Sequence, residues 1–210
     1  MPALRGSLTA RRYRTTGELP KDVRGRVVRG LRSHAFLPID PDSDLERSVG
    51  WVCLRDSEDV DFSADKVFSG ERVMLGLRID VLKPPAGEVR RELGRRERER
   101  GKAFSRGEKT ALKAEIVRKL RKRSFVRTRV LDVVWTPAQG GSKRGAGRLH
   151  FFSRTKAANE ALVELFSKSF GLAIDPEGPA AWATDAGADK KKPDPTPELL
   201  FGFAGRRRDG

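Results

Sequence analysis

Arg72-Val73-Met74-Leu75-Gly76-Leu77-Arg78-Ile79-Asp80 is the stretch that decides the fold. Val73, Leu75, Leu77 and Ile79 alternate with Arg72, Met74, Gly76, Arg78 and Asp80, the period of two that sends successive side chains to opposite faces of a strand. The pattern predicts one face in a core and the other in solvent. Pro84-Pro85 closes the strand, since proline has no amide to give to a ladder. Working outward, Gly50 to Leu54 reads as a short buried strand and Ser7 to Arg14 as an opening strand that ends at a Thr16-Gly17 turn. Thr128 to Trp135 and Arg148 to Ser153 read as a hairpin across the glycine-rich Gln139 to Gly147. A helix is expected from Pro20, with Val23, Val27 and Leu31 recurring at spacing four and the pattern continuing to Ala35 and Phe36; Pro38 to Asp44 is then a loop. Lys156 to Phe170 is a last amphipathic helix, with Ala158, Leu162, Leu165, Phe166 and Phe170 on one face and Gly171 as its cap. Helices and strands are interspersed without regular β-α-β alternation, so the fold class is α+β, with mixed or antiparallel sheets carrying amphipathic helices.

Charge is the loudest functional signal. The chain has 44 Lys and Arg against 29 Asp and Glu, a net charge of +15 and a pI near 10.6. From Arg90 to Arg129 alone there are 17 basic and 5 acidic residues, an excess of +12, which leaves only +3 for everything else. A concentrated patch of this kind attracts polyanions and releases their condensed counterions, whatever the base sequence. Nucleic acid is the first partner to consider.

Within that segment, Gly87 to Arg100 carries almost no apolar periodicity, only Val89 and Leu93 among Arg and Glu, and reads as a solvent-bridging helix or a partly disordered arm. Ser105-Arg106-Gly107-Glu108 is a capping box that opens a better-supported helix, with Leu112, Ile116 and Leu120 as its apolar stripe. Six basic residues between Arg118 and Arg127 have no acid among them. Lys109, Lys113, Arg118, Lys119, Arg121, Lys122, Arg123, Arg127 and Arg129 are therefore the candidate phosphate contacts, joined by Lys143 and Arg144 in the glycine-rich turn. Phosphate contacts position a protein on a duplex without specifying sequence. Phe125 stands alone in the basic run, either a core residue that closes the helix or an exposed aromatic at the tip of a protruding finger, free to stack or to meet a partner chain.

Other chemistries lack their residues. Asp80, Asp132, Asp59, Asp61 and Asp65 have no nuclease spacing and read as turn or surface carboxylates. One cysteine and two histidines, His34 and His150, make a zinc site unsupported, and neither Gly101-Lys102 nor Gly140-Gly141-Ser142-Lys143 fits a phosphate loop. No catalytic residue, metal site or cofactor is expected. Cys53 lies in an apolar neighbourhood and reads as a buried structural thiol in a reducing compartment. No stretch approaches the roughly eighteen apolar residues of a membrane span. The expectation is a cytoplasmic, nucleoid-associated protein.

The order of these motifs resembles the bacterial recombination-associated protein RdgC family. The resemblance rests on Tyr13-Arg14, Ala35-Phe36 with Pro38, Gly50-Trp51-Val52, and Leu75 to Arg78 leading to Pro84-Pro85. It continues through Lys109 to Glu115, Ser124-Phe125, Trp135 and Ser153 to Glu160, and ends with Leu162 to Gly171. It implies a homodimer that binds double-stranded DNA without sequence preference and restrains a RecA-type recombinase. Lys109 to Arg129 would match the family's basic helix and finger, and Phe125 an aromatic that meets the other subunit. The chain is then a shortened member, organised as an N-terminal α+β part (1–83), a basic helical arm or finger (84–129), a hairpin plus helix completing the core (130–175) and a Pro/Lys/Arg-rich tail (176–210). The rival readings are an RNA- or ribosome-associated basic protein and a DNA exonuclease.

Overall fold

The alternating strand forms, and it lies inside a seven-stranded antiparallel sheet with helices packed on one side, an α+β architecture. The structure is a computed structural model that describes residues 9–19, 21–43, 45–138 and 147–178. In chain order the elements are β1 (Arg11–Thr16), α1 (Val23–Ser33), β2 (Arg47–Cys53), α2 (Ala64–Val67), β3 (Phe68–Ser69), β4 (Arg72–Val81), α3 (Ala86–Arg100), α4 (Arg106–Arg121), β5 (Arg127–Pro137), β6 (Gly147–Phe151), α5 (Lys156–Phe170) and β7 (Ala173–Pro176). The strands run β2-β4-β5-β6-β1-β7, with β3 a short extra partner of β4. The chain divides into two units, Met1–Pro176 and Glu177–Gly210.

The expected alternation sets the register. Val73, Leu75 and Leu77 are fully buried, and they align with Trp135, Val133 and Leu131 on β5. Leu149, Phe151 and Tyr13 continue the same face across β6 and β1. Helices α1 and α5 cover this face, with Val27, Leu31, Leu162 and Phe166 in the core. Trp135 meets Phe166 edge-on at 5.1 Å and Phe170 at 5.3 Å. Two polar groups of the core are paired across it: Trp51 Nε1 donates to Ser169 Oγ at 2.8 Å, and the Tyr13 hydroxyl donates to Asn159 Oδ1. Gly171 ends α5 with φ at 69°, a left-handed cap that glycine takes without steric cost.

Three expectations are corrected. The other face of β4 is not solvated: Gly76, Arg78 and Asp80 are buried. Arg78 is neutralised in place, with Nε to Asp80 Oδ1 at 3.1 Å, Nη2 to Asp80 Oδ2 at 3.0 Å, Nη1 to the Ser57 carbonyl at 2.9 Å and its plane 4.3 Å over the Phe36 ring. Buried charges persist when they are paired and hydrogen-bonded, so charged residues at every second position did not mark a wet face. The first helix starts at Val23, where the Asp22 side chain accepts from Gly25 N at 2.8 Å, and it ends at Ser33 rather than Phe36. His34 to Phe36 instead run beside β2, with Trp51 N donating to the His34 carbonyl and Phe36 N to the Trp51 carbonyl. Gly50 allows that approach, because a Cβ there would sit 2.4 Å from Phe36 Cα. The first strand is shifted to Arg11–Thr16, since Thr15 and Thr16 pair with β7; Ser7 and Leu8 lie outside the described residues, as does Pro20.

Leu75→Ala is expected to lower the unfolding free energy by about 2–5 kcal/mol, whereas Leu37→Ala, at a side chain 73% exposed, should stay within about 0.5 kcal/mol; urea unfolding of both variants measures the contrast.

Candidate nucleic-acid interface

Pro84-Pro85 ends β4, and the chain leaves the sheet as a helical hairpin. Helix α3 runs out to Gly101, whose left-handed φ of 66° terminates it, and α4 runs back. Of the two readings of this segment, a solvent-bridging helix or a partly disordered arm, the helix holds: it is 15 residues long and pairs with α4. The apolar seam is narrow: Val89 and Ile116 are buried, while Leu93, Leu112, Val117 and Leu120 are half-buried.

Ion pairs complete the seam. Arg96 reaches Glu115 at 3.2 Å, Arg100 reaches Glu108 at 2.9 Å, and Lys109 reaches Glu97 at 2.9 Å, each joining the two helices. Within α3, Arg95 holds Glu92 at 2.6 Å and Glu99 at 2.8 Å. The capping box forms as expected, with Glu108 Oε2 accepting from Ser105 N at 2.8 Å and Ser105 Oγ accepting from Glu108 N at 3.4 Å. The backbone bond from Ser105, then its hydroxyl and Arg100, lowers the Glu108 carboxyl to about 2.

All five acids between Arg90 and Arg129 are therefore engaged, and the surplus of cations is left over. Arg90, Arg91, Arg98, Lys102, Arg106, Lys113, Arg118, Lys119, Arg123, Arg127 and Arg129 are exposed and have no ion-pair partner among the described residues. Six of the expected contacts, Lys113, Arg118, Lys119, Arg123, Arg127 and Arg129, belong to this set.

Three do not. Lys109 is committed to Glu97. Arg121 is buried, and its guanidinium donates to the Leu45 carbonyl. Lys122 is bound to Asp42 at 2.5 Å, and that hydrogen bond holds the Asp42 carboxyl below its usual range. Arg121 and Lys122 thus fasten the base of the hairpin to Leu45 and Asp42. Lys143 and Arg144 lie outside the described residues.

Phe125 is 92% exposed, so it is not a core residue, but neither is it at a tip. The tip of the hairpin is Gly101 to Ser105, where Phe104 lies under the Arg100 guanidinium at 4.6 Å. Phe125 sits at the opposite end, in the link from α4 to β5, followed by the exposed Val126. Leu45, whose carbonyl binds Arg121, is exposed nearby in the chain's fold.

The carboxylates are dispersed. Asp80 is locked to Arg78, Asp132 is buried opposite Gly76, and Asp59 and Asp61 share Lys66 at 2.9 and 3.4 Å. Burial of Asp80 and Asp132 corrects their reading as turn or surface residues. No group of three metal-ligating side chains occurs among the described residues. Burial pushes the Cys53 thiol up to about 11, which keeps it protonated and inert. No helix among the described residues is long and apolar enough to cross a membrane.

Two basic groups escaped the sequence reading. Arg47 on β2 lies in register with Val81 and Arg127, and Arg12 and Arg14 on β1 lie opposite His150 and Arg148 on β6. Strand parity would have revealed the first, had β2 been started at Arg47 rather than Gly50.

No protein-family model matches the chain, and no curated protein matches it either.

Because the Glu108 pKa is depressed in the folded chain, its contribution is complete above about 4.5 and is lost as pH falls through about 2. An NMR titration should place the Glu108 midpoint near 2, and Ser105→Ala should move it back toward 4.5 while fraying the first turn of α4.

Proposed function

We propose that this protein binds double-stranded DNA without reading its sequence. The observation that carries the reading is the unequal pairing of the hairpin: every acid from Arg90 to Arg129 is consumed, and eleven exposed cations remain without ion-pair partners among the described residues. Self-neutralised helices have no use for such a surplus. A duplex supplies the missing anions, and each phosphate neutralised releases condensed counterions. Side chains on helix faces and strand ends reach phosphate oxygens without entering a groove, so base identity has no vehicle.

Fluorescence anisotropy of a short labelled duplex across a salt series tests this. Engagement of Lys113, Arg118, Lys119, Arg123, Arg127 and Arg129 predicts a log-affinity slope of about −5. A slope near zero, or strong preference for one duplex sequence, overturns the reading. Equal or tighter binding of RNA would transfer it to an RNA partner.

We further propose, on the strength of the resemblance to the RdgC family, that the protein acts as a nucleoid-associated homodimer and restrains a RecA-type recombinase. The apolar set of Phe125, Val126, Leu45 and Leu37, all exposed in a single chain, supports self-association. Duplex covered by the protein is unavailable to a recombinase filament. Added protein is expected to inhibit strand exchange in proportion to duplex occupancy, and Phe125→Ala to shift light-scattering mass toward the monomer. Uninhibited exchange at saturating protein, or unchanged mass for Phe125→Ala, would reject the corresponding half of the proposal.

A further inference from the structure

We infer that Arg47, Arg127 and Arg129 form a second phosphate-contacting platform at the end of the sheet, so that the duplex track passes from α4 onto the strands instead of ending on the hairpin. The inference rests on the DNA-binding reading and adds to it a residue, Arg47, from outside the basic segment.

The register brings the three together. Arg47 aligns with Val81 and Val81 with Arg127, so the three occupy one row across β2, β4 and β5. Arg129 lies in the next row, aligned with Ile79 and, through it, with Val49. Residues directly opposite share a face, and this is the face that carries Trp51 and Leu77 and the covering helices. With strands spaced about 4.8 Å apart, the Arg47 and Arg127 backbones are roughly 10 Å from each other, and Arg129 is about 7 Å along the strand from Arg127. Long guanidinium side chains span such gaps. All three are exposed.

None of the three has an ion-pair partner among the described residues. The Arg47 guanidinium donates to the Ala157 carbonyl at 3.5 Å, and no ion pair holds Arg127 or Arg129 among the described residues. Glu164 lies within the electrostatic reach of Arg47, but its carboxylate is held by Lys168 at 2.7 Å; Glu160 is beside Lys156 at 3.9 Å. The first turn of α5 has no acidic residue, and Thr155 gives it no side-chain cap, so the helix end adds potential of the same sign.

Like charges gathered on one face of a sheet repel one another, and that repulsion costs stability. On the opposite face the fold removes that cost by giving Arg78 both Asp80 and Glu58. At this end it does not, which is the expected arrangement where an external polyanion provides the counter-charge. Continuity favours the same ligand as the hairpin. Residues 122–126 connect α4 directly to β5, so Arg123 on the hairpin side and Arg127 on the platform side are successive contacts along one chain.

The test uses the full chain and a labelled duplex of about 20 base pairs, in salt series on Arg47→Gln, Arg47→Lys and Arg72→Gln. Arg72 is an equally exposed arginine at the other end of β4, on the other face. Arg47→Gln is expected to weaken binding several-fold for every duplex sequence and to reduce the salt slope by about 1, with Arg47→Lys restoring the slope and Arg72→Gln leaving it unchanged. An Arg47→Gln slope equal to wild type, or an equal loss in Arg72→Gln, overturns the platform while the wild-type slope keeps the DNA reading intact. A flat wild-type slope is failure of the DNA reading itself. Unchanged urea midpoints establish folding; should Arg47→Gln unfold, Arg47→Met, which keeps the aliphatic stem without the charge, carries the same test, with an expected slope reduction of about 1.

Discussion

The pairing of β4 with β5 is the constraint on which the rest depends. Nine residue pairs, from Val73 with Trp135 to Val81 with Arg127, join two strands that the sequence separates by the whole helical hairpin. Closing a long insertion costs entropy, though slowly with length, and here the closure is repaid by a core row of Val73, Leu75, Leu77, Val133 and Trp135. The register also fixes where the hairpin stands. It leaves the sheet just beyond Val81 and returns at Arg127, two residues that face each other, so its base is as rigid as the ladder beneath it. Arg121 and Lys122 add a second fixing through the Leu45 carbonyl and Asp42.

That rigid base gives the charge distribution its meaning. A helical pair with so thin an apolar seam gains little from burial, and exposed ion pairs add little stability. Their effect is on geometry and on sign. By joining α3 to α4 and engaging every acid from Arg90 to Arg129, they leave a surplus of cations without ion-pair partners among the described residues. Arginine outnumbers lysine among those cations, which suits phosphate, since a planar guanidinium offers paired donors where an ammonium is a point charge.

Much of this was legible in the sequence because local rules and tertiary structure agree. The alternation of Val73 to Ile79, the Ser105 capping box, the hairpin between Thr128 and Ser153 and the Lys156 to Phe170 helix with its Gly171 cap all stand where their patterns place them. Most of the failures share one cause, a partner distant in the chain. Arg78 reads as solvent-facing until Asp80, Glu58 and Phe36 enclose it. Ala35 and Phe36 fit a helical stripe until the edge of β2 offers better hydrogen bonds. Arg121 looks like its basic neighbours, yet burial and the Leu45 carbonyl make it a fastening. Phe125 looks like a fingertip because the length of the basic run hides the fold-back at Gly101.

The same reasoning bears on how salt acts on the protein. Added salt screens the exposed pairs that join α3 to α4, with a Debye length near 8 Å at physiological ionic strength, and it also weakens attraction to a polyanion. Both effects push in one direction: the arm loosens under the conditions that release its ligand. A loosened arm presents its cations less well ordered, so any steepness beyond the slope of about −5 set by the phosphate contacts reports this loosening. The sheet-end arginines escape the first effect, because hydrogen-bonded strands, not ion pairs, set their spacing. Salt therefore separates the two parts of the surface, eroding the hairpin by two routes and the strand platform by one.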